Sequence, residues 1–552
     1  MADSTARIRR PRRAQSGSGL GVLAVGIATL VMLPLVAVLI AALVGELDTL
    51  RHLATTVLPR YLGTTAQLLV VVSCGTFLIG TSTAWLVTSF VFPGRRWLEV
   101  ALVLPLAFPA YVLAYAYTDL LDHPGPVQTA LRSVTGWGPR DYWFPEIRST
   151  GGAALMLILV LYPYVYLLAR AAFMTQSATP FQAARVLGRS PLSAFLTVSL
   201  PMARPAIAAG VLLTCMETLA DFGTVSHFGV QTFATGIYQS WFSMADRAAA
   251  AQLALGLLSM SLLLALLERR TRRGGRFGTG RVAAPGAHIH LRGWRAGLAT
   301  LACVLPVLLG ALLPAIRLLI MAQGSEQDVF SDRYLGFISN SVTLAGIAAA
   351  LTVLGAIALG YYRRRAATRL SGAVMQISRL GYAVPGGVIA VGLLVPFAAI
   401  DNGLDSFMRE SFGISTGLLF TGSIWLLVAA YLIRFMAAAV GAYEGGEAIV
   451  TDSIDGASRL LGRGQMDALR RTHLPLMTPS LLSAVLIVFV DVMKELPATM
   501  IMRPFNFDTL AVQAHRLAAD ERLDGAAVPS LLIVAVGVLP VILLIRRLGR
   551  HV

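Results

Sequence analysis

Twelve apolar runs, each about 20 residues or longer, dominate this chain, and that is the length a helix needs to cross a hydrocarbon layer roughly 30 Å thick. They fall near 20–45, 64–90, 97–120, 151–174, 203–225, 247–267, 296–321, 337–361, 380–400, 416–440, 477–502 and 526–545. No water satisfies the backbone inside a bilayer, so lipid-exposed runs of this kind become helices, whose hydrogen bonds close internally. The expected fold class is an all-α polytopic membrane protein with about 12 transmembrane helices, surrounded by membrane lipid. Of the 552 residues, 56% are hydrophobic and only 13% charged, which excludes an ordinary soluble domain. The first run is longer than the apolar core of a cleavable signal, which is roughly 7–15 residues, so it reads as a retained span.

An even number of spans puts both termini on one side. Arg7, Arg9, Arg10, Arg12 and Arg13, then Arg95 and Arg96, Arg269, Arg270, Arg272 and Arg273, Arg363 to Arg365, and Arg546 and Arg547 all fall on that side. By the positive-inside rule it is cytoplasmic. This clustering at the ends of apolar runs accounts for the net charge of +16 and argues against a nucleic-acid partner. Residues 268–295 are rich in Gly and Arg without apolar periodicity and read as a flexible cytoplasmic linker. The expected organisation is a basic cytoplasmic N-terminus over 1–19, a first half over 20–267, the linker, a second half over 296–545 and a cytoplasmic tail over 546–552. Cys74, Cys215 and Cys303 lie singly in apolar runs and show no metal-ligand spacing.

The two halves share a hidden repeat. A shift of 274 residues pairs Ala183 with Ala457, Arg185 with Arg459, Gly188 with Gly462 and Pro201 with Pro475, without a gap. Two homologous six-helix bundles follow, with a pathway expected at their interface. Each polar copy, 182–201 and 456–475, reads as two short helices around a glycine, closed by a proline that starts the next span. One such loop is unremarkable as a surface helix. Two copies in one register, both on the arginine-rich side, point to docking of a cytoplasmic partner.

The same shift matches Glu217 with Asp491 and Asp221 with Glu495, spaced i, i+4 on the fifth span of each half. An acid at the centre of a membrane helix costs about 2.5–3.5 kcal/mol, so such groups face a watery path or a partner. They are the candidate translocation path and, as carboxylates, suit transient contact with a hard cation. The bland alternative places them near the outer ends of their spans, with Asp221 and Glu495 solvated and Lys494 or nearby arginines neutralising the others. Lys494 is the only lysine in the chain. A phosphate-binding loop ends in Gly-Lys-Ser/Thr, and Lys494 stands in "VMKELP", so the chain has no nucleotide-binding motif and no cofactor of its own. "GISTG" at 413–417 matches a hydrolase-type pattern but lacks the strand-to-helix context that activates such a serine.

At its two polar loops the chain resembles the inner-membrane permeases of ATP-binding-cassette importers. Their signature is Glu-Ala-Ala, a glycine four residues on, and a later Leu-Pro. Gln182, Ala183, Ala184, Gly188 and Pro201 occupy those places in the first copy, and Gly456, Ala457, Ser458, Gly462 and Pro475 in the second. The signature glutamate is absent from both, with Asp455 a neighbouring substitute. The phrases "ETLADFGTVSHFGVQTFATGIYQSWF" and "KELPATMIMRPFNFDTLAVQAHRLAADERL" resemble the fused permeases of ferric-iron importers. The resemblance implies a multi-pass protein of the bacterial inner membrane that imports iron(III) by alternating access. It also implies two cytoplasmic ATPase subunits, which hold ATP and Mg, and a periplasmic or extracellular iron-binding protein. Permeases for thiamine, phosphonates, polyamines or oxyanions share the loops, and an ion-coupled secondary carrier would share the repeat and the acids.

Overall fold

The computed structural model describes residues 18–45, 47–176, 178–274, 289–366, 368–462 and 464–548. The basic segment expected over 1–19 lies almost wholly outside these residues, as do 275–288 of the linker and the end of the tail. Among the described residues, eleven helices are long and apolar enough to span a membrane, and the number is twelve if a further pair, bent by 92°, is counted as one span. The fold is all-α, as its sequence demands.

The first half comprises α1 (Ser18–Val44), α2 (Leu58–Ser89), α3 (Arg95–Ala101), α4 (Ala110–Leu121), α5 (Thr150–Thr175), α6 (Ala178–Val186), α7 (Pro191–Ala220), α8 (Gly223–His227), α9 (Phe233–Phe242) and α10 (Arg247–Gly274). The second repeats the order with α11 (Trp294–Gln323), α12 (Asp332–Arg365), α13 (Arg369–Ser378), α14 (Gly386–Phe412), α15 (Ile424–Glu447), α16 (Asp452–Leu460), α17 (Met466–Lys494), α18 (Pro497–Met502), α19 (Leu510–Ala519) and α20 (Leu523–Leu548). Each of these helices has a counterpart ten places on, while the first half adds Leu47–Thr56 and Pro126–Thr135, which have no separate helix opposite them.

Three expectations need correction. The run at 97–120 is not one helix, because Phe108 precedes a proline and adopts φ −93°, ψ 129°, which breaks the chain between α3 and α4. Val384 before Pro385 does the same between α13 and α14, with φ −96° and ψ 117°. Pro201 and Pro475 do not start their spans. The helix begins about three turns earlier, at Pro191 and Met466, and passes those prolines through a wide turn over Phe195–Ser199 or Leu469–His473. Finally, the 274-residue register ends after α8. Thr232 caps α9 and Thr509 caps α19, which puts these equivalent caps 277 residues apart.

The halves interlock. Helix α1 packs on α12, α13 and α14 of the other half, and α11 packs on α2, α4 and α5 of the first. Close backbone approach at Gly392 and Gly310 permits both crossings: a Cβ on Gly392 would lie 2.5 Å from Pro34 O, and one on Gly310 2.9 Å from Leu159 O. Where the described chain resumes after the linker, β2 (Ile289–His290) pairs in parallel with β1 (Phe90–Val91) at the end of α2. Contacts sort the loops onto two faces. Trp85 stacks on Phe195, Gly21 meets Tyr362, and Arg364 holds Asp455, which gathers both polar loops and the ends of α2 and α12 on one face. Arg148 bonded to Asp122 and Glu521 marks the opposite face.

Candidate functional site

Four helix breaks meet between the halves. Those before α4 and α8 come from the first half, and those before α14 and α18 from the second. Together with α5 and α15 they enclose a cavity of about 190 Å³. Glu217, Asp221, Asp491 and Glu495 all line it, so the structure brings together every acid singled out in the sequence. They arrive differently from the i, i+4 expectation. Helix α7 ends at Ala220 and α17 at Lys494, which leaves Asp221 and Glu495 in extended geometry one residue beyond.

That placement divides the acids into two kinds. Asp221 accepts from Val225 N at 3.2 Å and Thr224 Oγ1 at 2.9 Å, and Glu495 accepts from Ala498 N at 2.9 Å and Thr499 N at 3.0 Å. Both therefore cap the exposed donors at the starts of α8 and α18. Glu217 and Asp491 cap nothing. Glu217 accepts from Tyr382 Oη at 2.8 Å, across the half-to-half boundary. Asp491 has Lys494 Nζ at 3.8 Å. Asp221 and Glu495 thus stand at helix ends, but Glu495 is 5% exposed and capping, not solvated. The acids do not converge on one point: among the described residues, no three His, Cys, Asp or Glu side chains are grouped to hold a metal ion.

Sequence reasoning missed Arg434, Tyr382 and the two proline breaks. Arg434 sits on α15 with Nη1 3.7 Å from Glu495 Oε1. Gly386, at the start of α14, makes room for them, since a Cβ there would lie 2.6 Å from each of those atoms. The dipeptides Phe108-Pro109 and Val384-Pro385, inside apolar runs and on equivalent elements, were the available signal. Lys494 Nζ donates to Leu106 O at 3.1 Å and Tyr111 Oη donates to the Lys494 carbonyl at 3.4 Å, two more bonds across the boundary. One turn along α4 from Tyr111, Tyr115 meets His515 Nδ1 at 3.3 Å, again between halves.

Each polar loop turns at the anticipated glycine. Gly188 and Gly462 adopt φ +85° and +70°, left-handed values that suit glycine and end α6 and α16. Ala184 and Ser458, equivalent positions, are 7% and 5% exposed and turn toward the body of the protein. Gln182, Ala183 and Ala457 face outward, Gly456 is half-buried, and Leu187 and Leu461 are 82% and 74% exposed. Pro201 is half-buried and Pro475 exposed. Each loop thus presents a small apolar knob. Asp455 does not replace the missing glutamate: it turns inward, accepting from Arg364 Nε at 2.9 Å and pairing with His473 Nε2 at 2.7 Å. Burial pushes its carboxyl up, but those two partners outweigh it and hold it below the usual carboxylate range.

Residues 76–273 match the model of the family described as binding-protein-dependent transport system inner membrane component. The chain is 26% identical to the Fe(3+)-transport system permease protein FbpB 2 of Haemophilus influenzae, over 88% of this chain and 89% of that one. It is 26% identical to the probable ABC transporter permease protein y4fN of Sinorhizobium fredii, over 96% of each. A putative 2-aminoethylphosphonate transport system permease protein, PhnU of Salmonella choleraesuis, is 28% identical over 44% of this chain and 87% of its own length. The matched residues lie in the first half, and the same order of helices recurs in the second.

Proposed function

We propose that the chain is the membrane-spanning subunit of an ATP-driven importer that carries iron(III) across the bacterial inner membrane. One observation carries the reading: helix breaks from both halves bring four carboxylates to a single cavity on the half-to-half boundary. A trivalent cation is attracted by such a lining, whereas an isolated anion is repelled. The relative named for Fe(3+) transport aligns over most of the chain, which supports the same cargo.

In this reading the face bearing α6 and α16 is cytoplasmic, as its arginines require. The knobs around Gly188 and Gly462 seat in two ATPase subunits, which hold ATP and Mg. The opposite face receives an iron-binding protein. Closure of the ATPases pushes α6 and α16, and each push passes into α7 or α17, the helices that carry Glu217 and Asp491. The bonds from Tyr382 to Glu217 and from Lys494 to Leu106 hold the halves together and must break for the cavity to open. Glu217 and Asp491 attract the ion without the tight cage that would retain it.

The test is reconstitution in vesicles with the cognate ATPase and binding protein, offering radioactive ferric iron, thiamine and a phosphonate in turn. ATP-dependent entry of iron alone is expected. Glu217→Gln combined with Asp491→Asn should lower iron entry by about tenfold or more, the scale of losing one charge-assisted contact. Normal entry in the double variant would remove the acids from the path, and phosphonate entry would reassign the cargo.

A further inference from the structure

The acids obey the repeat, but the cations do not. In the 274-residue register Glu217 matches Asp491 and Asp221 matches Glu495, while Arg434 faces Val160 and Lys494 faces Ala220. All eight positions line the same cavity. If Arg434 and Lys494 were present merely to offset the cavity's acids, the first-half wall would need them equally, because Glu217 and Asp221 stand there without either.

Their bonding leads the same way. Glu495 is already satisfied by Ala498 N, Thr499 N and Thr499 Oγ1, the last at 2.7 Å. Arg434 Nη1 lies 3.7 Å from it, beyond hydrogen-bonding reach, and this buried donor has no hydrogen-bond acceptor. Lys494 spends one proton on Leu106 O and retains further donors. Helices α4 and α14 also begin at the cavity with no side chain capping their first donors. A guanidinium and an ammonium on one wall, with an open helix start from each half beside them, are the donor set that recognises an oxyanion.

From this asymmetry we infer that Arg434 and Lys494 form an anion subsite, and that the metal crosses paired with a small oxyanion of the phosphate or carbonate type. The inference rests on the iron(III) reading above. Glu217 on the bare wall faces the metal, and the cationic wall faces its oxyanion. The pairing has a physical motive: the cost of removing an ion from water rises steeply with its charge, and a paired oxyanion lowers the charge that the cavity must accept.

The experiment follows two labels in the reconstituted importer. Radioactive iron is supplied with labelled phosphate, with labelled bicarbonate, or as a chelate in buffer free of both. One oxyanion should enter with iron in a constant ratio, and the arms identify which. Arg434→Gln and Lys494→Gln should each lower that ratio by about tenfold, the loss of one charge-assisted hydrogen bond. Iron entry with neither labelled oxyanion above the level of empty vesicles overturns the proposal, even if neither variant folds. So does an unchanged ratio in both variants. In parallel, inorganic phosphate and bicarbonate are titrated into the purified wild-type chain. Binding of one with no iron entry would leave the subsite standing and sink the iron reading, whereas iron entry without any bound oxyanion would do the reverse.

Discussion

Glu99 and Arg170 show how much a membrane protein can place on one pair of side chains. Arg170 Nε donates to Glu99 Oε1 at 2.9 Å, and the two side chains are 11% and 6% exposed, on α3 and α5. Tyr166 Oη donates to the carbonyl of Glu99 at 2.6 Å. Removing one partner strands the other charge in an apolar setting. Arg170→Leu should therefore cost about 3–5 kcal/mol in thermal unfolding of the detergent-solubilised protein, and Glu99→Gln added to it should recover most of the loss. An additive double variant would show that the pair is not coupled. The residue scale also explains the uneven legibility of the cavity. Acids in apolar runs are conspicuous because they are expensive there, whereas Arg434 resembled one more arginine in a basic chain. The capping role of Asp221 and Glu495 was hidden because it depends on where α7 and α17 stop.

At the scale of elements, α6 and α16 share a shape but not an anchorage. Helix α16 is tied to α12 and α17 by Asp455, through Arg364 and His473, while the equivalent position in α6 is Phe181, which offers no such bond. The Asp455 carboxyl is held below its unfolded value, so its contribution is present above about pH 4, the ordinary aspartate range, and is lost as pH falls through the lowered folded value. Hydrogen exchange of α16 should quicken in that acid window, and Arg364→Gln should quicken it already at neutral pH, while α6 stays unchanged in both. A second expectation concerns the two loop glycines. Valine at Gly188 or Gly462 must hold a left-handed backbone at a cost of about 1–2 kcal/mol. Each variant should insert normally yet hydrolyse ATP, in the assembled importer, without matching iron entry; normal coupling in both would remove the loops from the drive. The glycines were readable in advance, since spacing and residue type identify such a turn. The early starts of α7 and α17 were not, because a proline inside a helix can be absorbed by a local widening that leaves no mark in composition.

Across the whole molecule, α1 and α11 each brace the opposite half, so neither bundle is complete alone. Gly392 on α14 is the closest point of that brace, with no room for a side chain against Pro34. Gly392→Leu should force the helices apart and lower stability by about 1–3 kcal/mol, read as a reduced melting temperature in detergent. Leucine at Gly387, on the same helix with nothing within 4 Å of an added Cβ, is the control and should leave the melting temperature nearly unaltered. Equal melting of the two variants would mean that the crossing carries no stability.

The sequence alone determined the all-helical class, the number of crossings and the repeated order of the halves. Lipid leaves the backbone few options, and the length of an apolar run is a direct measure of the layer it must cross. Only the tertiary structure decided that two of the crossings break at prolines, that the first helix of each half crosses to the other, and that the cations stand on one wall of a cavity whose acids stand on both. Those outcomes depend on which distant residues meet, and periodicity along a chain reports the face a helix buries without naming what it is buried against.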